Sequence, residues 1–309
     1  MRRSQATRTA PPGRHWLSRH ATFIALSALA TAAVLLLLAA RPAGAEQYPP
    51  FMKPGATPEQ DVEVIQEYFR NKFPDVPYED FSNGLYALFP AARAEWEMIE
   101  EFPPYDPYIE EGEQLFNTPF ANGRSYLDCF GATDVADQYP RWDAERGEVV
   151  TLGYAINLCR EANGEEPLDA EKGELVSIAA YLAYQVRGRQ VNVEVPDDPA
   201  ALEAYNAGKE YYFSRRGQLN FACYHCHFET AGQSLRTNNL SAALGQTTHM
   251  PKYRSKWGEM GSLHRRYRGC HNQVRAAPPA AESETLRNLE YFHTHFSNGL
   301  PLNGPGARF

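Results

Sequence analysis

The chain has 309 residues, 43% of them hydrophobic, with 38 acidic against 30 basic side chains and a formal net charge of −8. An acidic balance argues against a nucleic-acid binder and against a protein held to anionic lipid by charge. The length suits one large domain or two of about 100–150 residues.

Residues 1–45 read as an export signal. Arg2, Arg3, Arg8, Arg14 and Arg19 precede an uncharged run over 21–40, and Pro42-Ala43-Gly44-Ala45 offers small residues at the two positions a signal peptidase reads. Cleavage is expected between Ala45 and Glu46. An uncleaved membrane anchor is the alternative, because the run approaches the ~20 residues a span needs. The segment holds six arginines and no acid, so the chain beyond it carries a net charge of −14.

Residues 46–107 are rich in Pro and aromatics, with one good helix candidate at 59–72. They read as an N-terminal extension that wraps the segment after it. A divergent duplication follows. Gly112-Glu113-Gln114-Leu115-Phe116 leads to Cys129, and Gly208-Lys209-Glu210-Tyr211-Tyr212 leads by a similar distance to Cys223. Each unit closes with an apolar helix that ends near glycine. The first spans 174–186, with Leu175, Ile178, Ala179, Leu182 and Val186 at helical spacing; the second spans 284–296, with Leu286, Leu289, Phe292 and Phe296 on one face. The acidic, Pro-bearing stretch 193–199 reads as a linker.

A helix before a cysteine site and an aromatic helix after it match the plan of small cytochromes c. The expected fold is therefore mainly α, with two cytochrome c-like domains in tandem at 108–192 and 200–309. A single domain is the alternative. The second unit carries Cys223-Tyr224-His225-Cys226-His227, the Cys-x-x-Cys-His pattern of covalent haem attachment. In this pattern the thiols become thioethers and the histidine reaches the iron. A zinc site would ask for a second Cys/His pair at suitable spacing, which His271 beside Cys270 does not supply; a Cys223–Cys226 disulfide is the other alternative. The first unit has Ala132 and Thr133 where the second cysteine and the histidine would stand, so it is expected to be haemless.

Five cysteines divide unevenly. With two used for haem, Cys129 and Cys159 fall in the haemless unit of an exported protein, where a disulfide is the default. Cys270 is left over, and an unpaired cysteine in an exported protein asks for a role. Candidates for the second axial ligand are Met250, Met260, His249, His264, His271 and Cys270. Methionine or histidine would suit an electron carrier, whereas a thiolate would push electron density onto the iron. Spacing alone leaves Cys270 and the methionines level. Between 252 and 275 stand seven basic residues (Lys252, Arg254, Lys256, Arg265, Arg266, Arg268, Arg275) and one acid, Glu259. In so acidic a chain this island reads most simply as an anion-collecting site that also lowers the thiol pKa; a docking patch for an acidic partner is the alternative.

These residues resemble the SoxA family, cytochrome subunits of the periplasmic SoxAX complex of thiosulfate oxidation. The resemblance covers nearly the whole chain beyond the signal. It rests on Phe120-Ala121-Asn122-Gly123-Arg124-Ser125-Tyr126, Asn157-Leu158-Cys159-Arg160-Glu161-Ala162-Asn163-Gly164, Ala179-Ala180-Tyr181-Leu182-Ala183-Tyr184 and the haem motif. Its most specific part is Arg265-Arg266-Tyr267-Arg268-Gly269-Cys270-His271-Asn272-Gln273-Val274-Arg275-Ala276. Some members carry two haems; this chain looks like the single-haem type, with Cys129 and Cys159 paired.

The resemblance implies one haem c on Cys223 and Cys226, with His227 as proximal ligand. It implies Cys270 as distal ligand and active-site cysteine, found as a persulfide in the family, and Arg266 as the arginine that binds substrate. It also implies L-cysteine S-thiosulfotransferase activity, joining thiosulfate to a cysteine of a SoxYZ-like carrier, with a SoxX-like cytochrome as heterodimer partner. A plain electron carrier with Met250 or Met260 on the iron is the rival, alongside a haem sensor and a tetrathionate-forming thiosulfate dehydrogenase, which would be expected to carry two haem motifs.

Overall fold

The computed structural model describes residues 48–308 except Pro54, Arg236 and Thr237; the expected export signal lies outside the described residues. Residues 47–309 cluster as one unit. Thr57 opens the first helix, α1 (Pro58–Lys72), with a capping box. Its hydroxyl accepts from the Gln60 N–H (3.3 Å) while the Gln60 side chain accepts from the Thr57 N–H (3.0 Å). A 3₁₀ segment (Tyr78–Ala87) and α2 (Pro90–Ile99) follow.

The extension does not wrap the first unit alone. Ile65 and Phe69 of α1, with Phe81, are buried in one core with Tyr205, Tyr212, Phe213, Phe228 and Phe292 of the second unit. A buried ion pair, Lys209 Nζ to Asp61 at 2.7 Å, ties α1 to that unit, and the Tyr205 hydroxyl adds a 3.3 Å hydrogen bond. Only the later part, with Trp96, Ile99 and Tyr105, joins the first unit's core. Sequence alone sees an amphipathic helix, but not which neighbour its apolar stripe meets.

Helix α3 (Asp106–Asn117) carries Gly112. It is followed by α4 (Tyr126–Phe130), the hairpin β1 (Arg141–Asp143) and β2 (Glu148–Val150), α5 (Leu152–Ala162) and α6 (Glu174–Gln185). At Gly112 a Cβ would lie 1.9 Å from the Ser177 carbonyl oxygen, so α3 and α6 cross there in near backbone contact. Cys129 on α4 and Cys159 on α5 form a disulfide. Phe116 packs on Tyr126 and Tyr181, with ring centroids 5.8 and 5.7 Å away, in the same buried core as Cys159.

The stretch 193–199 is pinned rather than loose: Val193 exchanges two 2.9 Å hydrogen bonds with the Asn298 side chain. Asp198 then caps α7 (Pro199–Phe213), accepting from the Ala200 N–H. A π turn (His225–Glu229) carries the end of the haem motif, and β3 (Ser234–Leu235) pairs with β4 (Asn238–Asn239). Then come β5 (Lys252–Arg254), β6 (Glu259–Gly261), α8 (Leu263–Gln273), α9 (Glu284–His295) and β7 (Gly306–Arg308). Gly208 repeats the first unit's device: a Cβ there would meet the Asn288 carbonyl oxygen at 1.9 Å and Phe292 at 3.1 Å. β5 lies between antiparallel β6 and parallel β7, which brings the chain end beside Lys252 and Arg254. The three helices expected at 59–72, 174–186 and 284–296 all form, each bounded within one residue of its expected ends. No helix among the described residues is long and apolar enough to cross a membrane.

Candidate functional site

Cys223, Cys226 and His227 line a cavity of about 350 Å³, far larger than a packing void, and Cys270 and Arg266 line it too. His227 stands on the π turn. Its Nδ1 donates to the Ser241 carbonyl (3.1 Å), with the Gln246 amide 2.7 Å away, so the ring is held and its other nitrogen is left for the cavity. Burial pushes the Cys223 thiol up to about 11 and raises that of Cys226. Such surroundings favour an uncharged sulfur, which a thioether is.

Cys270 and Arg266 share one face of α8, a turn apart. Ser262 opens that helix by accepting from the Arg265 N–H at 3.2 Å. Arg266 Nη1 lies 3.0 Å from Cys270 Sγ. Burial alone would raise the Cys270 pKa. The Arg266 charge, a hydrogen bond from His227 and the Lys252 charge overcome it and bring the thiol down to about 6. The thiolate is the reactive form of sulfur and the form that ligates metals. Two thiols, an imidazole and a thiolate-prone sulfur facing that imidazole are the donor set for a covalently attached haem with histidine and cysteine ligation. The charges agree. Arg216, Lys252, Arg254, Arg266 and Arg308 line the cavity against one carboxylate, the exposed Glu95. The residues present therefore fit a haem, which brings two carboxylates of its own.

The other candidates for the iron are placed elsewhere or are otherwise engaged. Met260 is 1% exposed in the first unit's core. Met250 and His264 line a separate cavity of about 110 Å³. His249 and His271 do reach the haem cavity. However, His271 is bound at both nitrogens, to the Tyr267 carbonyl (2.8 Å) and the Tyr211 hydroxyl (2.7 Å), and His249 Nδ1 lies 3.2 Å from the Ser82 carbonyl. The basic island divides likewise. Lys252, Arg254 and Arg266 enter the cavity. Arg265 pairs with Glu259 (2.9 Å) over the Trp257 ring, and Arg268 pairs with Glu171 (2.6 Å). Arg216 and Arg308 were not singled out from the sequence. Arg216 stands seven residues before Cys223, its Nη1 3.7 Å from that sulfur, a nearness that was open to notice. Nothing local marks Arg308, which only the β5–β7 pairing delivers.

The chain is 56% identical to the L-cysteine S-thiosulfotransferase subunit SoxA of Allochromatium vinosum over 82% of its own length and 91% of that protein's. The chain belongs to the SoxA family. The SoxA subunit of Chlorobaculum tepidum is 50% identical, over 91% of this chain and 97% of that one. Among solved structures, SoxXA from P. pantotrophus matches with a TM-score of 0.62 at 29% identity, covering 67% of this chain and 79% of that chain. The family model described as the SoxA/TsdA cytochrome c domain matches residues 111–191. That stretch runs from α3 to just beyond α6 and contains the disulfide but no Cys-x-x-Cys-His. The SoxA cytochrome c fold is thus recognisable even in the unit without a haem motif. Cytochrome c domains bind haem c covalently, and the SoxA membership sets the reading of this site apart from that of a plain electron carrier.

Proposed function

We propose that this chain is a periplasmic L-cysteine S-thiosulfotransferase subunit with a single haem, working on thiosulfate and on the cysteine of a SoxYZ-like carrier. Its first cytochrome c-like domain spans 108–192, haemless and stapled by Cys129–Cys159, and its second spans 200–309, with 193–199 between them. The Phe116, Tyr126 and Tyr181 rings, packed in one buried core with Cys159, support the single haem count.

The observation that carries the reading is the 3.0 Å contact between Arg266 and Cys270 inside the cavity shared with Cys223, Cys226 and His227. Cys223 and Cys226 would hold the haem, with His227 and Cys270 as its axial ligands. When bound, haem supplies an electron acceptor within reach of the sulfur chemistry. Arg266 presents a guanidinium fork to the sulfonate end of thiosulfate, a bidentate fit that lysine lacks. Lys252 and Arg254 add positive potential on the same wall. Cys270, as thiolate or persulfide, is the reacting sulfur, and its low pKa keeps it anionic at neutral pH.

In the overall reaction, carrier thiolate and thiosulfate form one sulfur–sulfur bond and release two electrons. One haem cannot take both in a cycle, so a SoxX-like cytochrome in a heterodimer provides the second acceptor.

Peptide mass spectrometry of the Cys270 segment, on protein purified with its partner before and after thiosulfate, tests this reading. Extra sulfur on Cys270 that changes with substrate is expected. An unmodified thiol throughout would reduce the chain to an electron carrier.

A further inference from the structure

The sulfur chemistry above makes no use of Arg308, the last described residue. It is 5% exposed, and its Nε and Nη2 are buried with no partner among the described residues; Nη1 reaches only the Ala307 carbonyl at 2.7 Å. The guanidinium carbon stands over two aromatic rings, 5.0 Å from the Tyr86 centroid and 5.3 Å from that of Trp96. Glu100 is the nearby carboxylate, but it already accepts from the Trp96 indole (2.7 Å), the Tyr105 hydroxyl and the Ala307 N–H (3.4 Å).

Strand register makes the arrangement costlier. In the parallel pair of β5 and β7, Arg308 stands directly opposite Arg254, with Lys252, 8% exposed, two residues along on the same face. Like charges set opposite each other destabilise a sheet, and a buried guanidinium with two open donors, as at Arg308, adds to that cost. Burial is the main cause that holds Lys252 well below its ordinary range and Arg254 and Arg308 at about 10, and at Lys252 the charges of Arg266, Arg254 and Arg308 add to it. The two open donors of Arg308 are completed by an anion.

The haem brings two carboxylates, on propionate groups that leave the macrocycle on the edge away from the vinyls bonded to Cys223 and Cys226. Arg308 lines the same cavity as those two cysteines, and it does so from a separate element, β7. We infer that β7 is a cofactor clamp, in which Arg308 holds a haem propionate carboxylate. This rests on the haem being attached at Cys223 and Cys226, as proposed above.

Resonance Raman spectroscopy of the haem-loaded heterodimer tests the clamp, because the low-frequency propionate bending bands respond to hydrogen bonds made by the carboxylates. The partner's haem cancels in a difference spectrum between wild type and variant. In Arg308→Gln the propionate band is expected to shift to lower frequency, with partial return in Arg308→Lys and the iron–ligand bands in place. Unmoved propionate bands in both variants would overturn the clamp. A raised KM for thiosulfate with unmoved bands would overturn it too, and would assign Arg308 to the substrate's sulfonate. If the Gln variant does not accumulate, the Lys variant decides alone, since a lysine cannot reproduce the guanidinium's donors and a band that stays put excludes the contact. A haemochrome assay on the wild type, run first, keeps the two readings apart: no haem c there would remove the haem site itself as well as the clamp.

Discussion

Gly208 and Asn288 meet at the crossing of α7 and α9, where a Cβ on the glycine would come within 1.9 Å of the Asn288 carbonyl oxygen. Gly112 and Ser177 meet at the same distance where α3 crosses α6. Both approaches are to backbone, which cannot swing away as a side-chain tip can. Alanine is the better helix former, yet here it must push two helices apart, and overpacking of this kind costs about 1–3 kcal/mol. Gly208→Ala and Gly112→Ala are each expected to lower the unfolding free energy by that amount, read as a lower denaturant midpoint. Because α9 lies behind the haem cavity, Gly208→Ala should also disturb the haem spectrum, whereas Gly112→Ala should leave it alone. Equal spectral effects would break the link between each crossing and its own unit.

The Cys129–Cys159 bridge closes a loop with a sequence separation of 30. A loop of that size removes enough unfolded-state freedom to stabilise by about 3–4 kcal/mol, in the chain-entropy account. The double variant Cys129→Ser/Cys159→Ser is expected to lose about that much in equilibrium unfolding. Its haem content and haem spectrum should stay at wild-type levels, since both sulfurs lie outside the haem cavity.

Asp61 and Lys209 form a buried pair whose side chains are 1% and 3% exposed. Removing one partner leaves the other charge buried and uncompensated, which costs about 3–5 kcal/mol. Asp61→Asn is expected to lower stability on that scale and to loosen α1 from the second unit, detected as faster proteolysis between residues 48 and 76. Asp61→Asn/Lys209→Met, which removes both charges, should recover most of the loss. If the double variant were no better than the single one, the pair would not be what anchors α1.

What the sequence made legible follows from how local each signal is. The helices α1, α6 and α9 could be bounded because their apolar spacing and caps are written within a dozen residues. Cys223, Cys226 and His227 formed a contiguous motif, and Cys270 stood out by subtraction from the cysteine count. The packing partner of α1 was not legible, since an apolar stripe does not name the face it meets. Nor could the basic island be divided. Lys252 and Arg254 point into the cavity because β5 alternates its faces, while Arg265 and Arg268 are turned away toward Glu259 and Glu171, and only the fold puts those acids there. Arg308 joins the site through a strand pairing with no sequence-local trace.

That division of the basic residues gives the sharpest test of the site. Arg266 touches Cys270 and has no acidic partner among the ion pairs of the described residues, so its guanidinium is available to substrate. A charge-assisted hydrogen bond contributes about 1.5–3 kcal/mol, so Arg266→Ala is expected to lower kcat/KM for thiosulfate by roughly 10- to 100-fold. The covalent haem should remain, because Cys223 and Cys226 are untouched. Arg266→Lys keeps the charge but loses the fork, and should fall between wild type and alanine. Arg265→Ala and Arg268→Ala break only partly exposed ion pairs, each typically worth about 0–1 kcal/mol, and should change kcat/KM by less than about fivefold. Steady-state kinetics on the four variants separates two accounts. A graded loss across all of them would mean that diffuse positive potential collects the anion. A loss confined to position 266 would mean that one guanidinium, held against one sulfur, does.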